Sequence, residues 1–170
     1  MAYTTINKST DYFNTKLYTG NGGTNAQTGV GFQPDWVWIK RRNSAGGNML
    51  TDAVRGVTKT IITNETSAEQ TFANGLTAFG SDGFTIGSEA GFNNSSDTFV
   101  AWNWKAGTSF TNDASSTYIG TIDSSGTFNN DSGFSIVTYS ATGSAGTIKH
   151  GLNVAPQVVL TKSLGSSSWW

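Results

Sequence analysis

The chain has 170 residues, a formal net charge of -1 and only 12% charged residues, about half the usual share for a soluble domain. That length allows one sizeable domain with its own core, or one domain and part of another. The chain has no broad basic stripe of the kind nucleic acid recruits, no cysteine for a disulfide framework, and no run of 18 apolar residues for a membrane helix.

Solubility must therefore come from Ser, Thr, Asn and Gly, a surface that suits β-proteins working outside a cell. Glycine is 21 of 170 residues and proline only 2. Short β-type runs separated by Gly, Asn, Asp and Ser predict an all-β chain with many turns. Residues 1–11 form a short polar arm. They lack the basic and apolar regions of a secretory leader.

The first strand is "KLYTG" (16–20). "GNGGTNAQTG" (20–29) is a hairpin loop; it has neither the Lys-Ser/Thr pair nor the following helix of a phosphate cradle. In "DWVWIKRR" (35–42), Trp36 and Trp38 share one face, and Val37 and Ile39 share the other. A strand apolar on both faces is expected to be central and covered on both sides. Pro34 suits its start, because proline cannot donate within a ladder. Lys40, Arg41 and Arg42 read as a solvated strand end.

Further strands are predicted at "NMLTDAV" (48–54), "KTIITN" (59–64) and "LTAFGSDGFTIGS" (76–88). Residues 66–76 can form one or two helical turns, capped at Thr66 or Ser67 with Glu69 as the capping-box acid, and stopped at Asn74-Gly75. "TFVAWNWKA" (98–106) alternates with period 2. Phe99, Ala101, Asn103 and Lys105 face one way, Val100, Trp102 and Trp104 the other. A Ser/Thr/Asn/Gly-rich connector covers 108–132, followed by strands at "FSIVTYS" (134–140), "TIKHG" (147–151) and "QVVLTKS" (157–163).

The later strands repeat the earlier ones. Pro34 and Pro156 are 156 − 34 = 122 apart, and Gly29/Gly151 and Lys40/Lys162 share that offset. Phe13/Phe134 and Tyr18/Tyr139 are 121 apart. The expected organisation is an arm (1–11), a β-sandwich module (12–107), a linker (108–132) and the beginning of a second, incomplete module (133–170). A half-built sandwich ending in Trp169-Trp170 cannot bury its apolar face. The chain is accordingly expected to be a piece of a longer polypeptide, or to be completed by a neighbouring subunit.

No catalytic constellation stands out, and no enzyme is expected. His150 is the lone histidine and reads as a turn residue. HExxH, CxxC and GxSxG motifs are missing, so neither a metal nor a cofactor is expected. Asp82 with Glu89, or Asp52 with Glu89, could serve a glycosidase, but no spacing singles out a pair. "NNSSD" (93–97) offers oxygen ligands without the alternating carboxylates of a calcium loop. Trp36, Trp38, Trp102 and Trp104 are expected to fill the core. Sugar stacking on an exposed one, Trp38 above all, is the rival reading. A glycan site would be built from Trp38 and the loop residues Asn43, Asn93, Asn94 and Asp97.

The words "GFQPDWVWIKRRN", "MLTDAVRGVTK", "TNETSAE", "LTAFGSDGFTIGS" and "TFVAWNWKAG" together resemble a module that recurs, often in tandem, in structural proteins of tailed phages, especially cyanophages. "GFSIVTYS" and "HGLNVAP" resemble the start of the next copy. The resemblance implies an antiparallel jelly-roll sandwich of concanavalin-like or SPRY-like type on the virion exterior. It implies a tail-fibre or appendage protein that attaches to host-surface glycans, docks on other virion proteins through its N-terminal arm and forms a homo-oligomer. The alternative it leaves is a capsid decoration or head fibre without a specific receptor role. No catalytic residue carries over.

Overall fold

The computed structural model describes residues 7–166. The Trp169-Trp170 end and residues 1–6 of the proposed docking arm lie outside them. After a 3-10 turn at Ser9–Asp11, the strands are β1 (Phe13–Thr19), β2 (Asn25–Gln27), β3 (Trp36–Arg41), β4 (Met49–Asp52), β5 (Lys59–Ile62), β6 (Gln70–Thr71), β7 (Leu76–Gly80) and β8 (Gly83–Ile86). A one-turn helix α1 (Ala90–Asn93) leads to β9 (Thr98–Trp104), then β10 (Thr108–Asn112), a second turn of helix α2 (Ala114–Thr117), β11 (Ser124–Asn129) and β12 (Phe134–Tyr139).

These strands make a six-stranded sheet in the order β1-β9-β3-β4-β5-β6 and two three-stranded sheets, β2-β8-β7 and β10-β11-β12. Every ladder is antiparallel. The fold is an all-β antiparallel sandwich, as the turn-rich composition predicts.

Alternation builds the core. Val37, Ile39, Met49, Ile62, Phe99 and Ala101 on one face of the large sheet meet Leu76, Phe84 and Ile86 of β7 and β8, with Phe92 from α1 filling the end. Tyr18 stacks on Phe99 at 5.1 Å and donates its hydroxyl to the Phe92 carbonyl at 2.7 Å. Burial pushes that phenol's pKa up. β3 is central, between β9 and β4, as its two apolar faces predict.

The tryptophans depart from expectation. Trp36, Trp38, Trp102 and Trp104 are not in the sandwich core but half-buried on the opposite face of the large sheet. The pleat explains it: once Val37, Ile39, Phe99 and Ala101 point inward, their neighbours must point outward. Part of that outer face is covered, because Phe134 of β12 packs on Trp36 at 5.9 Å and on Trp104 at 6.1 Å.

Three local expectations are corrected. Residues 66–76 form no helix; Gln70 and Thr71 pair with Thr60 and Lys59 in the sheet, and Glu69 is held by Arg55 at 2.8 Å. Pairing of the backbone outweighs a weak propensity. The connector 108–132 carries β10, α2 and β11, which pair with β12 through Ser, Thr and Gly positions and one aromatic pair, Phe110–Phe128 at 6.0 Å. Gly126 lets β11 lie close to β12, since a Cβ there would strike the Ile136 carbonyl. "TIKHG" and "QVVLTKS" form no strand; Ile148 makes one isolated bridge to Ile122, and residues 157–160 are exposed.

Candidate functional site

Two surfaces gather the predicted ligand residues. At one end of the sandwich, β3 runs out into Asn43, and α1 runs out into Asn94 and Asp97 just before β9. The Asp97 carboxylate accepts from the Asn43 amide at 3.0 Å and the Asn94 amide at 2.6 Å, and pairs with the Arg41 guanidinium at 3.3 Å. Asn43 in turn accepts the Thr98 N–H at 3.1 Å. Arg41 donates to the Ala90 carbonyl at 2.7 Å and lies 5.7 Å from the Phe99 ring centre. The Asp97 carboxylate is thus engaged within the cluster, while the buried Arg41 Nε makes only the ion-pair contact and no hydrogen bond. The exposed amides of Asn43 and Asn94 keep hydrogen-bonding capacity toward solvent.

Asn93 does not belong to that surface. It is fully buried, and its amide is engaged on all sides. Nδ2 donates to Gly23 O at 2.6 Å, Gly87 O at 2.9 Å and Asn21 Oδ1 at 2.9 Å. Oδ1 accepts from Asn21 N and Asn25 Nδ2, both at 3.0 Å. Asn93 ties the Gly-rich loop after β1 to α1 and β8, with no capacity left for a ligand. Only its strong tendency to sit in turns was visible in sequence.

The second surface is the outward tryptophan face. Trp38 and Trp102 lie opposite one another on β3 and β9, with ring centres 5.5 Å apart and planes tilted by 57°. The Trp38 indole N–H donates to Thr63 Oγ1 at 3.0 Å, which fixes the ring's orientation. Beside them opens a hollow of about 1300 Å³, floored by Trp36, Trp38, Leu50 and Ile61 and roofed by β12 and residues 154–164. Trp38 thus does not join Asn43, Asn94 and Asp97; the predicted site residues divide between two surfaces and one buried position.

Two of the carboxylates considered for hydrolysis, Asp82 and Asp52, have structural tasks. Asp82 accepts the N–H groups of Gly29 at 2.8 Å and Gly31 at 2.7 Å, closing the loop that leads to β3. Asp52 is buried against Arg55, at 2.6 Å, and its other oxygen takes the N–H groups of Val54 and Arg55. Glu89 precedes α1. His150 accepts the Leu152 N–H at Nδ1, at 3.2 Å, as a turn residue would. Among the described residues, no three of His, Cys, Asp and Glu gather as a metal site would require.

Acid sensitivity follows from these bonds. The Gly29 and Gly31 N–H groups hold the Asp82 carboxyl below the usual carboxylate range, and the Asn94 amide, with Asn43 and Arg41, does the same for Asp97. Hydrogen bonds from Ser115 and Ser116 lower Asp113, which caps α2. A folded pKa below the unfolded one stabilises above the unfolded value and loses that contribution as pH falls through the folded one. Stability is expected to be level above about pH 5 and to decline below about pH 4. Urea midpoints across pH 3–7 check this, and Asp82→Asn should flatten part of the decline.

The chain belongs to a family described as a domain of unknown function, DUF7483, whose model matches residues 8–170. The matched span takes in all three sheets. No curated protein and no solved structure matches the chain.

Proposed function

We propose that this chain is a non-enzymatic module of a tailed-phage virion appendage, and that its outward tryptophan face engages glycans on the host surface. The observation that carries the reading is the Trp38–Trp102 pair, half-buried on an outer sheet face with one ring held by Thr63. Aromatic rings displayed and oriented in this way offer apolar faces to the C–H side of a sugar while neighbouring polar groups meet its hydroxyls. The scarcity of charge agrees with a neutral ligand. Weak single sites become strong attachment when a homo-oligomeric appendage presents many copies.

The phage setting rests on the resemblance of the sequence words quoted above to a module of phage structural proteins. In that setting the polar N-terminal arm docks on neighbouring virion proteins. Asn43 and Asn94 offer a second, smaller polar patch at the sandwich end.

Binding of the purified chain to host-surface polysaccharide, read by tryptophan fluorescence or on a glycan array, tests the proposal. Trp38→Ala is expected to weaken binding about tenfold, the equivalent of about 1.4 kcal/mol. Asn43→Ala should leave it nearly unchanged. Loss of binding with Asn43→Ala but not Trp38→Ala would move the site to the loop cluster. Release of soluble reducing ends by the wild-type chain would contradict the non-enzymatic reading.

A further inference from the structure

The internal repeat has an imprint in the backbone. Gly22 and Gly143, which are 143 − 22 = 121 apart, have φ of +69° and +77°. Gly29 and Gly151, which are 151 − 29 = 122 apart, have φ of +79° and +82°. β1 and β12 start at Phe13 and Phe134, again 121 apart. Two left-handed glycines at matching offsets after matching strands mark the same local path taken twice.

In the first copy, β9 fills the place between β1 and β3: Trp104 lies opposite Phe13 on one side and Trp36 on the other. The same offsets make β12 and residues 158–163 the equivalent walls. Among the described residues, β12 is an edge strand paired with β11 alone, and residues 158–163 belong to no strand beyond a single bridge at Lys162. Both line the 1300 Å³ hollow. Val158, Val159 and Leu160 stand where Trp36, Val37 and Trp38 stand in the first copy, and are 78%, 66% and 75% exposed. Three consecutive apolar side chains in water next to an open strand edge form a surface suited to receiving a strand.

The open edge is also the correct one. Tyr12 O accepts from Lys105 N and Gly20 N donates to Asp97 O, so the even-numbered residues of β1 turn their backbone groups toward β9. Shifted by 121, those become the odd-numbered residues of β12. The carbonyl of even-numbered Ile136 faces Gly126 of β11. Ser135, Val137 and Tyr139 therefore direct their backbone groups to the edge that no strand of the described residues occupies.

We propose that this edge of β12 is a docking site for one antiparallel strand of another polypeptide. That strand carries the alternation of residues 98–104, with small and aromatic residues on one face and tryptophans on the other. Residues 158–162 close over its far edge. The partner adds main-chain bonds to β12 and shields Val158 and Leu160, a case of recognition by strand addition.

The test is amide hydrogen exchange of the full chain with a synthetic peptide of sequence DTFVAWNWKA, the chain's own residues 97–106. Exchange at Ser135, Val137 and Tyr139 is expected to slow about tenfold or more at saturation. Ile136 and Thr138, already turned to β11, should change little. A double variant, Val158→Lys with Leu160→Lys, alters only exposed positions and should weaken the protection. Unchanged exchange at the three odd-numbered amides would overturn the proposal, as would equal protection by a scrambled peptide. Protection that arises on raising the protein concentration without peptide, together with a dimer mass, would also overturn it in favour of a second copy of this chain. Trp38 floors the same hollow, so glycan binding is read separately, by Trp38→Ala without the peptide.

Discussion

Replacing Arg55 with alanine is expected to lower the unfolding free energy by about 3–5 kcal/mol. The guanidinium lies between two carboxylates, at 2.6 Å from Asp52 Oδ2 and 2.8 Å from Glu69 Oε2, and also donates to the Leu50 carbonyl at 3.3 Å. Side-chain exposure is 7% for Arg55 and 3% for Asp52. Removing the cation leaves a buried carboxylate without its counter-charge, which costs far more than the net worth of the pair. The same residue joins β4 to the segment that leads into β6, so local loosening of that edge should accompany the loss. Asp52→Asn combined with Arg55→Met should recover part of the stability, because the buried Asp52 charge goes with its partner and only the more exposed Glu69, at 19%, is left unpaired. Urea midpoints decide the matter: a shift below about 1 kcal/mol for Arg55→Ala would mean that water reaches the pair.

Asn93→Ala should destabilise by about 3 kcal/mol, because several buried partners lose their bonds at once. The carbonyls of Gly23 and Gly87 lose a donor, and the Asn21 N–H loses its acceptor, where solvent has no access to the Asn93 position. Asn93→Asp is the informative companion. It keeps the acceptor but presents an oxygen to two carbonyls, so it should be at least as damaging as alanine. The loop 20–24 should become more open to protease in both variants. A stability within about 0.5 kcal/mol of wild type would contradict the structural role and return Asn93 to the list of ligand candidates.

Period-2 alternation made the central strands legible. Trp36, Val37, Trp38 and Ile39 divided correctly between two faces, and Phe99, Ala101 and Asn103 divided correctly from Trp102 and Trp104. What alternation cannot tell is which face meets the second sheet. Size alone favours the tryptophans as core, but β7 and β8 offer Leu76, Phe84 and Ile86, whose packing accommodates the face of Val37, Ile39, Phe99 and Ala101. β10 and β11 escaped notice because "TSFTN" and "SSGTFN" have the composition of a loop; their order comes from β12 and from the close approach at Gly126. β2 escaped for the same reason, inside a glycine-rich stretch that pairs with β8. The expected strand at 157–163 fails to form although its sequence is strongly β-prone. Propensity alone supplies no ladder, and among the described residues no strand runs beside 157–161 as β9 runs beside β3.

Of the residues proposed for a glycan site, Asn43, Asn94 and Asp97 were legible as neighbours because each flanks a strand end that the sandwich brings together. Display of Trp38 was only the rival reading to a place in the core, and its partner Trp102 required the register of β3 against β9. The Arg55 network had only one visible sign, the acidic and basic residues of "DAVRG", with Glu69 assigned to a helix cap instead.

The most direct measurement of the central claim is immunogold labelling of intact phage particles with antibody raised against residues 12–107. A virion appendage that attaches to host glycans places gold at the tail or its fibres. Gold spread over the head, or confined to lysate outside the particles, would contradict that account.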